Sequence, residues 1–150
     1  MKIGVISDTH GVLREEVIEH LRNCDYIIHA GDIGNEDIVH TLNSIAKTIV
    51  VRGNNDNEGY ALKIPENIEV EIDQVLIYVT HDREDIPKEL REIDLVIYGH
   101  SHKYSEETKD GIIYLNPGSC GRKRFSLPLS MAIVDINLDD IKIKKIDIEG

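Results

Sequence analysis

Apolar residues along this chain recur with two different periods, and the switches between them mark out its elements. Lys2 to Ser7 is a short β-branched run and predicts a strand. Leu13 to Asn23 carries Leu13, Val17, Ile18 and Leu21 at helical spacing. Tyr26 to Ala30 predicts a second strand, Asn35 to Ser44 a helix through Ile38, Val39 and Leu42, and Lys47 to Val51 a third strand. This β-α-β-α-β order is that of a parallel sheet with crossover helices. Beyond it the strands crowd together. Ile68 to Ile72 and Val75 to Thr80 flank Asp73-Gln74, a two-residue hairpin turn. Ile86 to Arg91 is a short helix candidate beginning near Pro87, and Asp94 to Tyr98 is a buried strand. Tyr104 to Thr108 and Ile112 to Leu115 flank the turn Lys109-Asp110-Gly111. Leu129 to Ile136 and Ile141 to Ile148 close the chain around Asp139-Asp140, the last run near-alternating isoleucine with charge. The expected fold is α/β, with two mixed β-sheets packed as a sandwich and helices outside. The parallel-rich first half would form one sheet, and the hairpin-rich second half most of the other.

The polar punctuation is unusual. Asp8-Thr9-His10, Gly31-Asp32, Gly53-Asn54-Asn55-Asp56 and Gly99-His100-Ser101-His102 each stand where a strand runs out into a loop, and His81 follows Val75 to Thr80. Ligands gather at the carboxyl ends of parallel strands. Asp8, His10, Asp32, Asn54, His81, His100 and His102 together supply oxygen and imidazole donors in a number that suits two divalent ions. Oxygen favours hard ions and imidazole the borderline first-row ions. Two ions about 3.5–4 Å apart form a clamp for phosphate-ester hydrolysis.

Each motif has an ordinary structural explanation when taken alone. A capping aspartate and a surface histidine explain Asp8 and His10, and Gly-Asp or Gly-Asn is common turn chemistry. Side chains two apart in an extended chain point the same way, so Asp8 and His10 are expected to share one ion. The ordered set is what those explanations do not produce. Asp32, as a carboxylate, is the natural bridge, and Asn54 is a neutral ligand that leaves the site positive. Asp56 is either a turn cap or a residue that orients Asn54. Arg122 and Arg124 either grip a phosphate oxygen or belong to a solvated basic loop. His29 reads as core.

Composition narrows the partners. The chain has 150 residues, read as one domain over 1–150, with 41% hydrophobic and 30% charged residues, an ordinary balance for a packed core. Its formal net charge of −11 argues against nucleic acid and anionic membrane as partners. An anionic substrate would then have to be drawn by bound ions. Two divalent cations against Asp8 and Asp32 leave the site at about +2. Apolar runs are too short to span a bilayer, and Met1-Lys2 opens directly into a strand-like run without a signal pattern, so the expected location is cytoplasmic. Cys24 and Cys120 form no CxxC pair and read as reduced thiols.

The ordered set DxH, GD, GNxD, a histidine after a strand, and GHxH resembles the calcineurin-like metallophosphoesterase superfamily. Asn116-Pro117-Gly118-Ser119 and the basic run Arg122-Lys123-Arg124 narrow the likeness to its small YfcE-like phosphodiesterases. The resemblance implies one ion held by Asp8, His10, Asp32 and His102, a second by Asp32, Asn54, His81 and His100, and hydrolysis of a small phosphodiester through metal-activated hydroxide. Mn²⁺ is the first expectation, with Ni²⁺, Zn²⁺ and Fe²⁺ as alternatives. Asn55, Asp56 and Arg122 are the candidate catalytic residues beside the ligands. Small members of the family associate, which makes a homo-oligomer an expectation.

The chain departs from the family pattern twice. Asn55 stands where many members have a histidine that assists the leaving group, and Thr80-His81-Asp82 replaces the common Thr-His-Gly. Two other readings remain open. One is a non-catalytic metal-binding scaffold of the same fold, as in the retromer subunit that shares it. The other is a phosphomonoesterase or cyclic-nucleotide phosphodiesterase.

Overall fold

A computed structural model describes residues 1–124 and 126–149. Its strands are β1 (Lys2–Ile6), β2 (Tyr26–His29), β3 (Lys47–Val50), β4 (Asn67–Ile72), β5 (Val75–Thr80), β6 (Leu95–Ile97), β7 (Ser105–Lys109), β8 (Ile112–Asn116), β9 (Leu129–Asn137) and β10 (Asp140–Ile148). Two α-helices, α1 (Glu15–Leu21) and α2 (Glu36–Ile45), connect β1 to β2 and β2 to β3. The strands form two five-stranded sheets, ordered β10-β9-β1-β2-β3 and β4-β5-β6-β8-β7. In the first, β1, β2 and β3 run parallel and β9 and β10 antiparallel. In the second, β5, β6 and β8 run parallel, with β4 and β7 antiparallel at the edges.

The two-residue period of the strands builds the layers. Ile28 and Ala30 of the β2 segment face inward and pack with Val5, Ile77, Val79, Ile97 and Leu115 between the sheets. Ile27, one position away, faces outward and meets Val17, Leu21, Ile38 and Leu42 of the helices. Each such side chain, fully removed from water, contributes ~1.5–3 kcal/mol. Asn35 caps α2 by accepting a 3.1 Å hydrogen bond from the Ile38 N–H, and Glu36 and Asp37 complement the positive helix end. The Asp73-Gln74 turn has both residues at positive φ, as a two-residue hairpin of primed type requires.

Three expectations are corrected. The closing hairpin joins the first sheet, because β9 pairs with β1 rather than with any strand of the second. β9 is buried on both faces, with Met131 toward the helices and Ala132, Val134 and Ile136 between the sheets, so it needs an interior position. No helix forms over Ile86 to Arg91, which is irregular; a single 3₁₀ turn at Arg83–Asp85 precedes it. Pro87 and the left-handed Glu92 (φ 61°) leave fewer than two turns between them, too short to repay nucleation. Finally, the α-helices cover the first sheet only. The outer face of the second carries Tyr78 and Val96, and the segment with Ile86, Leu90 and Ile93 packs over it. No helix among the described residues is long and apolar enough to cross a membrane.

Candidate metal centre

Five parallel strands from both sheets deliver their following loops to one place. Asp8 and His10 follow β1, Asp32 follows β2, Asn54 follows β3, His81 ends β5, and His100 and His102 follow β6. Two groups of ligand atoms result, Asp8–His10–His102 and Asp32–His81–His100, each set within 4.8 Å. They touch one another. His10 Nε2 lies 3.7 Å from Asp8 Oδ1 and 3.6 Å from Asp32 Oδ2. His81 Nε2 lies 3.2 Å from Asp32 Oδ2 and 3.9 Å from Asp8 Oδ1. His102 Nε2 is 3.5 Å from Asp8 Oδ1 and 3.2 Å from His10 Nε2. Asn54 Oδ1 sits 3.2 Å from His100 Nδ1, so both can face one ion.

The backbone that makes this convergence is strained. Asp8, His10, Asp32, His100 and His102 all have positive φ, between 45° and 75°. These five make up half of the ten non-glycine residues in that region among the described residues, a concentration of unfavourable backbone geometry at the site. Asp8 and His10 therefore share a target through left-handed kinks, not through the extended spacing that the sequence suggests. Gly99 permits the closest approach of the two sheets, since a Cβ there would collide with Ser7 Oγ.

Donor assignment separates the atoms that hold the fold from those left for a ligand. Asp8 Oδ2 accepts from Ser7 Oγ at 2.8 Å and from the His100 N–H at 3.1 Å. Its Oδ1 is buried with no protein partner, and so is His81 Nε2. His81 Nδ1 lies 2.7 Å from the Ala30 carbonyl, which fixes Nδ1 as the protonated nitrogen and turns Nε2 toward the carboxylates. Buried polar atoms without partners are costly. Asp8 Oδ1 and His81 Nε2 lie among the other ligand atoms at separations of 3.2–3.9 Å, close to the roughly 3.3 Å edge of a tetrahedron of 2.0–2.1 Å metal bonds; a third such atom, His102 Nδ1, belongs to a residue of the same set. The residues present fit divalent cations.

Charge follows the same layout. Burial disfavours the Asp32 carboxylate, but His81, the Asn55 N–H and His10 hold it well below the usual carboxylate range. Burial alone would lower His81; Asp32 and Asp8 outweigh it and raise the group to about 9. The Asp8 carboxylate beside it, with Asp32, raises His10 against burial, while burial lowers His102, with His10 and Arg124 adding to that.

Around this cluster lie residues the sequence marked less clearly. Asp56 is buried and touches no ligand-type side chain. One carboxylate oxygen accepts from the N–H groups of Asp32 and Gly53, both at 2.9 Å, and the other from Ile33 at 2.9 Å and Gly34 at 3.4 Å. It ties the β2 and β3 loops together and presents no free oxygen to a substrate. Asn55 grips Asp32, with its N–H on Oδ1 at 2.9 Å and its Nδ2 on Oδ2 at 3.1 Å. Arg122 lines a cleft of about 250 Å³ with His10, His102, Lys123 and Arg124.

Two further positioning groups had other readings from the sequence: His29 as core, and Asn116 as part of a turn facing the site. His29 is fully buried; its Nδ1 accepts from the Gly31 N–H at 3.1 Å. Its Nε2 therefore donates to Thr9 Oγ1 at 2.9 Å, and Thr9 Oγ1 donates to the Ile33 carbonyl at 2.7 Å. This chain of bonds locks the β1 loop to the β2 loop. Asn116 Nδ2 donates to the Gly99 carbonyl at 3.1 Å and to Ser101 Oγ at 3.0 Å, bracing the loop of His100 and His102. An asparagine after an apolar run was the available signal for the second. None distinguished His29 from a core histidine.

The match to known proteins is direct. Residues 1–139 match the calcineurin-like phosphoesterase superfamily domain. Phosphodiesterase MJ0936 of Methanocaldococcus jannaschii is 34% identical over 140 aligned positions, covering 80% of this chain and 84% of that protein. Phosphodiesterase YfcE of Escherichia coli K12 is 29% identical over 162 positions, covering 90% of this chain and 88% of its own length. The solved structure of a novel archaeal phosphodiesterase superposes with a TM-score of 0.80 at 27% identity, over 99% of this chain and 100% of the other. With its two mixed sheets and its convergent donors, this chain belongs to the calcineurin-like phosphoesterase superfamily and is a hydrolase of the metallophosphoesterase type.

Proposed function

We propose that the chain is a phosphodiesterase working with two divalent ions, Mn²⁺ first among them, on a small phosphodiester. The observation that carries this reading is the pair of buried, unpartnered ligand atoms, Asp8 Oδ1 and His81 Nε2, set among five other ligand-type side chains. Asp8, His10 and His102 would hold one ion, Asn54, His81 and His100 the other, with Asp32 between them. When bound, the pair supplies a water of lowered pKa and neutralises phosphoryl charge.

The chain's own residues orient and tune. Asn55 holds both oxygens of Asp32 and so fixes the carboxylate that both halves share. Asp56 and His29 keep the β1, β2 and β3 loops in register. Arg122 borders the cleft beside His10 and His102, where a phosphoryl oxygen can be gripped. No side chain in the place of Asn55 donates a proton at neutral pH, and general acid catalysis contributes ~10²–10⁴-fold. Esters with good leaving groups are therefore the preferred substrates. Replacing Asn55 by His should raise the rate on alkyl diesters relative to aryl diesters; an unchanged ratio would count against the assignment.

The direct test is hydrolysis of an aryl phosphodiester and the matching monoester by metal-stripped protein, with Mn²⁺, Ni²⁺, Zn²⁺ or Mg²⁺ restored singly. Metal-dependent diester cleavage that vanishes in His81→Ala is the expected result. Stoichiometric metal binding without hydrolysis under any ion would overturn the reading.

A further inference from the structure

The protein is strongly acidic, at a formal −11, yet one end of its cleft is lined, among the described residues, by His10, His102, Arg122, Lys123 and Arg124. The other end differs. A second hollow of about 190 Å³, beside Asn54 and His81, carries Asp82, Asp85 and Glu66, and its one arginine, Arg52, is paired to Glu66 at 2.7 Å. Elsewhere Arg22 pairs with Glu19, Arg83 with Glu107 and Lys145 with Asp147, while surface lysines such as Lys63, Lys88 and Lys109 have no ion-pair partner among the described residues. The basic run is set apart by its place beside His10 and His102. Among the described residues, no carboxylate is paired with Arg122, Lys123 or Arg124.

This basic run is not a loose surface loop at its base. Ser119 Oγ donates to the Asp8 carbonyl at 3.0 Å, and the Cys120 N–H to the Ser7 carbonyl at 3.3 Å. Arg14 Nε donates to the Gly121 carbonyl at 2.9 Å. Gly121 lies against the Thr9 backbone so closely that any Cβ would collide with the Thr9 carbonyl oxygen. The segment that begins the run is thus pinned to the loop that carries Asp8 and His10, and its cations are held at one side of the metal centre.

We infer that the Arg122–Arg124 end of the cleft is a subsite for a second phosphate group of the substrate, so that the preferred phosphodiester carries a phosphate monoester beyond the scissile phosphorus. The inference rests on the diesterase reading and deepens it. A diester phosphate carries one negative charge, and a centre of about +2 already neutralises it. Two further guanidinium groups and an ammonium match a second phosphate, which bears about −1.5 to −2 at pH 7. Guanidinium forks fit tetrahedral oxyanions bidentately. The acidic hollow at the opposite end disfavours an anionic group there, which sets the orientation of the substrate along the cleft.

Two thymidine derivatives with the same leaving group test this. Thymidine 5′-(4-nitrophenyl phosphate) lacks the second phosphate; its 3′-phosphorylated form carries it. The 3′-phosphate should raise kcat/KM by about 10- to 100-fold, and the advantage should shrink as salt is added. In the variant Arg122→Gln/Arg124→Gln the ratio between the two substrates should fall to near one, whatever its absolute rate. A ratio near one in the parent, or one kept by the variant, overturns the subsite. In parallel, inorganic phosphate is titrated into the metal-free protein by NMR. Binding at the arginines that is lost in the variant supports the subsite even if neither ester is hydrolysed, an outcome that would sink only the diesterase reading. No binding to metal-free protein, together with equal turnover of the two esters, overturns the subsite alone.

Discussion

The two sheets contribute unequally to the candidate metal centre. Loops of the first sheet bring both carboxylates and the amide, Asp8, Asp32 and Asn54, with one histidine, His10. The second sheet brings only imidazoles: His81, His100 and His102. Their supports differ as well. The carboxylate loops are laced together by Asp56 and by the His29–Thr9–Ile33 chain of bonds. The imidazoles hang on fewer ties, His81 on the Ala30 carbonyl and the His100 loop on Asn116. The sheet that α-helices cover carries the negative charges, which need the firmest hold, because two carboxylates close together repel until cations arrive. The imidazoles are neutral when they bind metal and tolerate looser anchoring.

Two buried histidines show the same contrast. His29, in the first sheet, faces a backbone N–H and a hydroxyl, and burial drives it down to about 4. His81, in the second, is also subject to burial, but Asp32 and Asp8 override it and carry it up to about 9. One is a neutral strut. The other answers to the two carboxylates that its Nε2 faces.

Breaking the lacing of the first sheet should have the largest effect. Asp56→Ala strands the N–H groups of Asp32, Ile33, Gly34 and Gly53. The expected loss is about 4 kcal/mol of stability in metal-free protein, measured by denaturant unfolding. A loss below about 1 kcal/mol would show that these loops are held by other means.

Acid should do the next most damage, through His29. Its folded-state value is depressed, so the unfolded chain takes the proton first. Its contribution is intact above pH 6.5 and is lost as pH falls from 6.5 to about 4. Roughly 3 kcal/mol is at stake over that window. Unfolding of metal-free wild type and His29→Gln across pH 4–7 isolates it, since the wild type should lose that much more than the variant. Parallel curves would remove His29 from the account.

Loosening the second sheet's loop should cost least. Asn116→Ala removes two hydrogen bonds beneath His100 and His102 and a third from the Gly118 N–H, for about 1–2 kcal/mol and roughly tenfold in metal affinity. Titration calorimetry with Mn²⁺ reads the second figure. A drop as large as that from Asp56→Ala would erase the asymmetry between the sheets.

Much of this was legible in the chain. β-branched runs closed by turn residues located the strands, and the candidate ligand residues that follow them lie together in the structure. Sheet membership was not legible for β9, whose apolar run fits an interior place in either sheet until β1 offers its free edge. Nor were the left-handed kinks at Asp8 and His10, because a local pattern does not reveal strain imposed by packing. Asp56 looked like a turn cap and His29 like core. Their roles exist only once the β1, β2 and β3 loops, distant in sequence, lie side by side.

The measurement that goes to the centre of the account is Mn²⁺ titration of the metal-free protein followed by EPR, in wild type and in Asp32→Ala. The account predicts two ions per chain with a spin-coupled signal in the wild type, and loss of the coupling when the shared carboxylate is removed. A single uncoupled Mn²⁺ per chain, or coupling that survives in Asp32→Ala, would contradict the claim that the two sheets build one centre through Asp32.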